Sequence, residues 1–466
     1  MTRKYEKNEQ SSRVHYCNFA FQSINAYIYF TKEHSPLKSK EQVLDKFVIN
    51  GGKFLSGTVI IGGAKNASLA LMPATILASG TSHLSNTPNL RDITTMSRLL
   101  ETMGVQVSSH QQTMTLDTRA VSSFEAPYEH VKKMRASMYV LGPLVARFGQ
   151  AKVSLPGGCA WGPRPVNLHI EGIRRLGAEV DLEAGYIIAK AKHLHGARIL
   201  FDISSVGATG NVMMAAVLAK GTTLIENAAQ EPEIVQLAEF LTIMGARING
   251  VGTGRLEIEG VDELHPADIV TIPDRIEAGT FLIAGALAGK RGSVVRLEKC
   301  NPNHIGALII KLEDAGAKVR TGADWVEISA PEKIAPINVT TAIYPGFPTD
   351  MQAQWIAFMS LAGGTSIVTD TVYFDRFMHV PELVRLGANI TIKENIATVV
   401  GEKKLMAAKV MSTDLRASAS LILAGLIAEG TTEVLRVYHI DRGYESIEKK
   451  LQALGADIRR EQGEEF

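Results

Sequence analysis

The stretch Leu176-Gly177-Ala178-Glu179-Val180-Asp181-Leu182 couples a helix ending to an alternating strand, and its kind recurs along most of the chain. Glycine enters the left-handed region without a Cβ penalty, so Gly177 reads as a helix C-cap. The residues after it alternate apolar and acidic, the period of a half-buried strand. Five more junctions share the pattern: Met103-Gly104-Val105, Met244-Gly245-Ala246, Ala315-Gly316-Ala317, Leu386-Gly387-Ala388 and Leu454-Gly455-Ala456. The six glycines are separated by 73, 68, 71, 71 and 68 residues, a regularity that chance does not sustain.

A second series interleaves with the first. Six mostly apolar runs close on Gly80, Gly149, Gly221, Gly292, Gly364 and Gly430, among them residues 212–220 and 415–429. Runs so evenly apolar have no solvent face and predict buried helices. A strand such as Thr222-Thr223-Leu224-Ile225-Glu226 follows each run. One unit is therefore about 70 residues with two helices and several strands, present six times. Such a unit can carry its own sheet, so two globular halves of three units each are expected rather than a solenoid.

The totals agree with that size. A chain of 466 residues exceeds one ordinary core, and 45% hydrophobic with 21% charged residues is a soluble globular balance. Net charge is +1, which speaks against bulk electrostatic binding of nucleic acid. Cys17, Cys159 and Cys300 are widely spaced with no CxxC pair, and no HExxH occurs, so a reducing compartment and no metal site are expected. No stretch reaches the roughly 18 apolar residues of a membrane span. Residues 1–43 lack periodicity and read as a disordered extension or a misassigned start, with the ordered pattern beginning at Leu44-Asp45-Lys46-Phe47.

Charge collects where the buried helices begin. Their N-terminal turns carry Gly63-Ala64-Lys65-Asn66, Lys133-Met134-Arg135, Ser205-Val206-Gly207, Asp274-Arg275-Ile276-Glu277, Pro348-Thr349-Asp350 and Asp414-Leu415-Arg416. A helix N-terminus already attracts anions through its free N–H groups and dipole. Lys65, Arg135 and Arg416 add to that field, which is poor capping but good anion chemistry. Asp274, Asp350 and Asp414 also read simply as caps or first-turn acids. Arg376 and Arg442 lie in loops, each next to an aspartate (Asp375, Asp441) that could pair with it. The loop Leu155-Pro156-Gly157-Gly158-Cys159-Ala160-Trp161-Gly162-Pro163-Arg164-Pro165 places a thiol among turn formers, as a lid carrying a reactive group would.

Together, Lys65-Asn66, Arg135, the Cys159 loop, Phe347-Pro348-Thr349-Asp350, Arg376-Phe377-Met378-His379, Asp414-Leu415-Arg416 and His439-Ile440-Asp441-Arg442-Gly443 resemble the UDP-N-acetylglucosamine enolpyruvyl transferase family over residues 44–460. The resemblance implies a two-domain inside-out α/β barrel, with residues 44–64 plus 273–466 as one lobe and 65–272 as the other. It implies transfer of the enolpyruvyl group of phosphoenolpyruvate to the sugar 3-hydroxyl, the first committed step of peptidoglycan synthesis, in the cytoplasm. Cys159 corresponds to the general acid and fosfomycin target, and Asp350 to the residue taking the hydroxyl proton. Lys65, Arg164 and Arg442 correspond to phosphoenolpyruvate ligands. Asn66, Arg135, Arg164, Pro165, Val166, Asn167, Leu168, Ser205, Val206, Gly207 and Val372 correspond to the nucleotide-sugar side, Arg376 to a substrate-binding position, and Asp414 and Arg416 to the catalytic surround. No cofactor, metal, nucleic acid, membrane or obligate protein partner is implied. Ile203 departs from a common Lys near the diphosphate, Asn167 from a common Asp, and Trp161 from a smaller apolar residue. A sister transferase acting on shikimate 3-phosphate and a catalytically silent nucleotide-sugar binder are the alternatives.

Overall fold

The computed structural model describes residues 44–132, 134–156, 166–289 and 292–463, and in these the sixfold repetition is the architecture. All six junction glycines are left-handed, with φ from 90° at Gly387 to 111° at Gly245. Each follows a helix: Arg91–Thr102, Asn167–Arg175, Pro232–Ile243, Gly306–Asp314, Val380–Arg385 or Ile447–Ala453. Each precedes a strand: Gln106–His110, Glu179–Glu183, Arg247–Asn249, Lys318–Thr321, Asn389–Lys393 or Asp457–Gly463. These strands lie at the ends of their sheets, where charged side chains such as exposed Glu179 and Asp181 discourage further pairing.

Six four-stranded sheets share one pattern: a short strand parallel to its neighbour, then two antiparallel pairings. Distant segments complete three of them. Leu44–Asn50 enters the last sheet, with Phe47 opposite both Val434 and Arg460. Gly57–Ile60 runs parallel to Val295–Glu298, and Ile269–Val270 parallel to Thr81–Ser85.

The helices of the second series lie inside these sheets, giving the inside-out α/β arrangement. Every residue from Ile276 to Ala288 is buried in the helix Arg275–Ala288, as is the whole of Gln352–Met359. Two of the apolar runs are helical over shorter stretches than their composition: one helix stops at Ala216 and another at Ile427. The run before Gly149 starts as a 3-10 segment, Arg135–Val140, before Leu141–Phe148. Gly364, unlike the other five closing glycines, is not left-handed; a Cβ there would stand 3.0 Å from the Pro336 ring, so crowding favours glycine instead.

The buried apolar side chains form two cores. One takes Phe47 to Ile61 together with Ile276 to Ile458, the other Leu69 to Leu264. Each core with its sheets makes one lobe. The chain passes between them twice, side by side: the Ala64 N–H donates to the Ile272 carbonyl at 2.7 Å and the Asp274 N–H to the Gly62 carbonyl at 2.8 Å. Gly63, which bridges Pro273, has no room for a side chain, since a Cβ would fall 1.7 Å from the Asn86 carbonyl oxygen. Among the described residues no helix is long and apolar enough to cross a membrane.

Candidate active site

Two carboxylates organise the charged helix ends. Asp350 lies in the 3-10 turn Thr349–Met351 that leads into a buried helix. Its Oδ2 accepts from Arg416 Nη2 at 2.6 Å and its Oδ1 faces Arg376 Nη2 at 2.8 Å. Asp92, in the first turn of Arg91–Thr102, accepts from Arg442 Nε at 2.9 Å and Nη2 at 3.3 Å, with Lys65 Nζ 3.7 Å away. Lys65 and Arg416 each open a buried helix, so those helix dipoles reinforce the field. The cluster holds two more cations than carboxylates, a surplus suited to a multiply charged anion.

The arginines around Asp350 are themselves held. Arg376 Nη1 donates to Thr349 Oγ1 at 3.0 Å, and Thr349 donates to Asp370 Oδ2 at 2.7 Å. The other Asp370 oxygen accepts from Thr341 Oγ1 at 2.7 Å and from the Val372 N–H at 3.0 Å, which sets the Val372 turn. Arg416 Nη1 lies 3.4 Å from the Tyr444 hydroxyl, itself 2.7 Å from Thr280 Oγ1. Burial would raise the Asp350 carboxyl pKa, but Arg416 and Arg376, with Lys65 behind them, hold it well below the ordinary carboxylate range. Lys65 is pushed below an ordinary lysine, first by burial and then by Arg416 and Arg442, while Asp92 and Asp350 oppose the shift.

A second group forms at the start of Val206–Ala216. Ser205 caps that helix, its hydroxyl accepting from the Ala208 N–H at 3.3 Å. Behind it, the Asn211 amide nitrogen contacts His169 Nδ1 at 2.8 Å and the Met138 carbonyl at 2.6 Å, while its oxygen accepts from the Gly142 N–H at 2.7 Å. This network packs the start of Asn167–Arg175 and the Arg135–Val140 segment around Val206 and Gly207. A Cβ on Gly207 would sit 3.1 Å from the His169 ring. Burial, and then Arg135, bring His169 down to about 4, so the imidazole is neutral. Val166 and Leu168 pack on the lobe's core while Asn167 faces solvent, and Ile203 is exposed.

Several expectations meet their structural outcome here. Asp414 is an N-cap, accepting from the Arg416 N–H at 2.8 Å and the Ala417 N–H at 3.2 Å. Asp274 likewise caps its helix, through the Ile276 and Glu277 N–H groups, and also accepts from the Lys65 N–H at 3.2 Å. Asp350 caps nothing and is a first-turn acid of its 3-10 turn. Neither loop arginine chooses its chain neighbour: Arg376 takes Asp350 and Arg442 takes Asp92, while Asp441 pairs with Arg460 at 2.6 Å. Asn66 is partly exposed in the first turn of Lys65–Ala74. Cys159, Arg164 and Pro165 fall outside the described residues, as do residues 1–43. Sequence reasoning passed over Asp92, Asp370, Tyr444 and Thr280, and gave Thr349 no role beyond its place beside Asp350. For Asp92 a signal existed: it shares the apolar stripe of Met96, Leu99 and Leu100, an unusual place for an acid. Among the described residues no group of three His, Cys, Asp or Glu could hold a metal ion.

Comparison with known proteins bears on this geometry. The family profile described as EPSP synthase (3-phosphoshikimate 1-carboxyvinyltransferase) matches residues 49–451. The UDP-N-acetylglucosamine 1-carboxyvinyltransferase of Chloroherpeton thalassium is 60% identical over 91% of this chain and 99% of its own, and that of Geotalea uraniireducens is 55% identical over 90% and 100%. Among solved structures, the enolpyruvyl transferase NikO from Streptomyces tendae superposes with a TM-score of 0.82 at 26% identity, covering 90% of this chain and 100% of that one. EPSP synthase from Acinetobacter baumannii, at 16% identity and a TM-score of 0.71 over the same shares, has the fold in common. The chain belongs to the UDP-N-acetylglucosamine 1-carboxyvinyltransferase family of enolpyruvyl transferases.

Proposed function

We propose that this protein transfers the enolpyruvyl group of phosphoenolpyruvate to the 3-hydroxyl of UDP-N-acetylglucosamine, releasing phosphate, as the first committed step of peptidoglycan synthesis. The observation that carries the reading is the meeting of Lys65, Asp350, Arg376, Arg416 and Arg442 at one place, in a chain related over its length to transferases of that name. Lys65 and Arg442 receive phosphoenolpyruvate, whose phosphate and carboxylate match the surplus of positive charge; by the family resemblance Arg164 is a third ligand. The nucleotide sugar lies along Asn66, Arg135, residues 164–168, Ser205, Val206, Gly207 and Val372.

In the reaction the methylene carbon gains a proton from Cys159, and the sugar oxygen bonds to the adjacent carbon as its proton leaves to Asp350. Loss of a methyl proton then expels phosphate and restores the double bond, so no redox or metal step is needed. Asp350 is ionised at neutral pH, as a base must be, although its two arginines weaken it. Substrate anions that share those guanidiniums raise its basicity when catalysis requires it. The widely spaced cysteines support a cytoplasmic setting.

Phosphate release from phosphoenolpyruvate tests the reading, with UDP-N-acetylglucosamine or shikimate 3-phosphate as acceptor. Release with shikimate 3-phosphate alone would assign the sister reaction, and tight sugar binding without release would mark a silent binder. Replacing Cys159 with Ser should abolish most turnover, whereas Cys159→Asp should retain it and resist fosfomycin. A brisk Ser variant beside a dead Asp variant would remove the thiol from the acid role.

A further inference from the structure

We infer that Asp92 is a positioning residue that unites the two lobes into one anion clasp, holding Arg442 of one lobe beside Lys65 of the other. The inference rests on the reading that Lys65 and Arg442 receive phosphoenolpyruvate. An acid in the first turn of a helix ordinarily serves the helix dipole from a solvated position. Asp92 does not: its side chain is only 6% exposed, and its oxygens meet the guanidinium and the ammonium. A carboxylate is costly to bury unless paired, and the closer, two-point pairing of Asp92, with Arg442, requires both lobes docked.

The rest of the segment points the same way. The Asn89 N–H donates to Glu445 Oε2 at 3.2 Å, and the Arg91 guanidinium lies 5.8 Å from the Tyr438 ring centroid. Residues 89–92 of one lobe therefore rest on residues 438–445 of the other, with Asp92 at the buried end of that contact.

The grip also leaves Arg442 usable. Asp92 engages the Nε–Nη2 edge of the guanidinium, so the Nη1 edge remains for a ligand oxygen. With Asp92 between them, Lys65 and Arg442 stand close without their full mutual repulsion, so one anion can engage both. The charged groups acting on Lys65 are Asp92, Asp350, Arg416 and Arg442. Of these, Asp92 does most to keep the ammonium protonated, so removing its charge sheds the proton at lower pH.

The test uses the full chain with Asp92→Asn and Asp92→Glu, measuring phosphate release against phosphoenolpyruvate at saturating UDP-N-acetylglucosamine across pH. For Asp92→Asn, KM for phosphoenolpyruvate should rise about tenfold or more while kcat moves less, as for loss of a charge-assisted alignment. The basic limb of kcat/KM should shift to lower pH, and Asp92→Glu should recover part of both effects. In an Arg442→Ala background the same substitution should cost less than roughly threefold, because its partner is already gone. Unchanged KM and pH profile would overturn the inference. So would tighter phosphoenolpyruvate binding with stronger inhibition by inorganic phosphate, which would make Asp92 a competitor for the cations. A lowered Tm with equal loss of affinity for both substrates would reduce it to a fold contact. Should the wild type bind phosphoenolpyruvate yet release no phosphate, the reaction reading fails instead, and calorimetric phosphoenolpyruvate affinity of the same variants decides the clasp.

Discussion

Asp350 and Asp92 each stand between two cations, yet Asp350 draws both arginines from its own lobe and Asp92 draws one cation from each. The Asp350 set is braced within that lobe by Thr349, Asp370, Tyr444 and Thr280, so its geometry survives any change in lobe spacing. The Arg442 half of the Asp92 set exists only while the lobes meet. A charge array prepared in advance suits the chemical step, where reorganisation is costly. An array assembled by docking suits capture, because arrival of the ligand and closure of the lobes reinforce one another.

That contrast sets the size of what substitutions should do. Asp350→Asn should give the largest loss, about 10²- to 10⁴-fold in kcat as for removal of a general base, read by phosphate release. A variant near wild-type rate would make Asp350 only an anchor for Arg376 and Arg416. Arg442→Ala should cost about 1.5–3 kcal/mol in kcat/KM for phosphoenolpyruvate, the worth of a hydrogen bond to a charged group. Unchanged kinetics would return Arg442 to a role in lobe contact alone.

The pH dependence sharpens the same comparison. Burial, Arg416 and Arg442 set Lys65 below the 10.5 of an ordinary lysine, so phosphoenolpyruvate affinity should fall as pH rises through that lowered value. Asp350 is also lowered but for the opposite reason: burial would raise it, and its arginines outweigh burial and depress it well below 3.8. The folded state therefore binds that proton less readily than the unfolded chain. The resulting stability is complete above the ordinary carboxyl range and is lost on acidification through the depressed value. A pH series of kcat/KM and of Tm separates the two groups. The smallest effect should come far from both carboxylates. Gly177→Ala has steric room, with His195 Nδ1 the nearest atom at 3.6 Å, but φ is 94°, so about 1 kcal/mol of stability should be lost with activity unchanged. Thermal unfolding beside a rate assay checks it.

Legibility in the sequence follows the range of the interaction. The six junctions were readable because a left-handed cap and an alternating strand are decided within a few residues. The buried helices were readable because their composition leaves no polar face. Lys65, Arg135 and Arg416 stood out as cations at the starts of buried helices, where capping chemistry does not ask for them. The aspartates were ambiguous for a good reason: Asp274 and Asp414 cap, Asp350 does not, and all three look alike within their own turns. Asp92 was missed because it passes for an ordinary first-turn acid unless its place on the stripe of Met96, Leu99 and Leu100 is weighed.

The sequence by itself determined the repeat, the burial of six helices and the kinds of charged group at their ends, since each depends on residues a few positions apart. Only the tertiary structure decided the partners. Arg416 reaches Asp350 across 66 residues and Arg442 reaches Asp92 across 350, while the neighbouring Asp441 is taken by Arg460. The insertion of Leu44–Asn50 into the last sheet is of the same kind. Such pairings depend on how the two cores pack and on which charges that packing withdraws from water, and no local pattern encodes either.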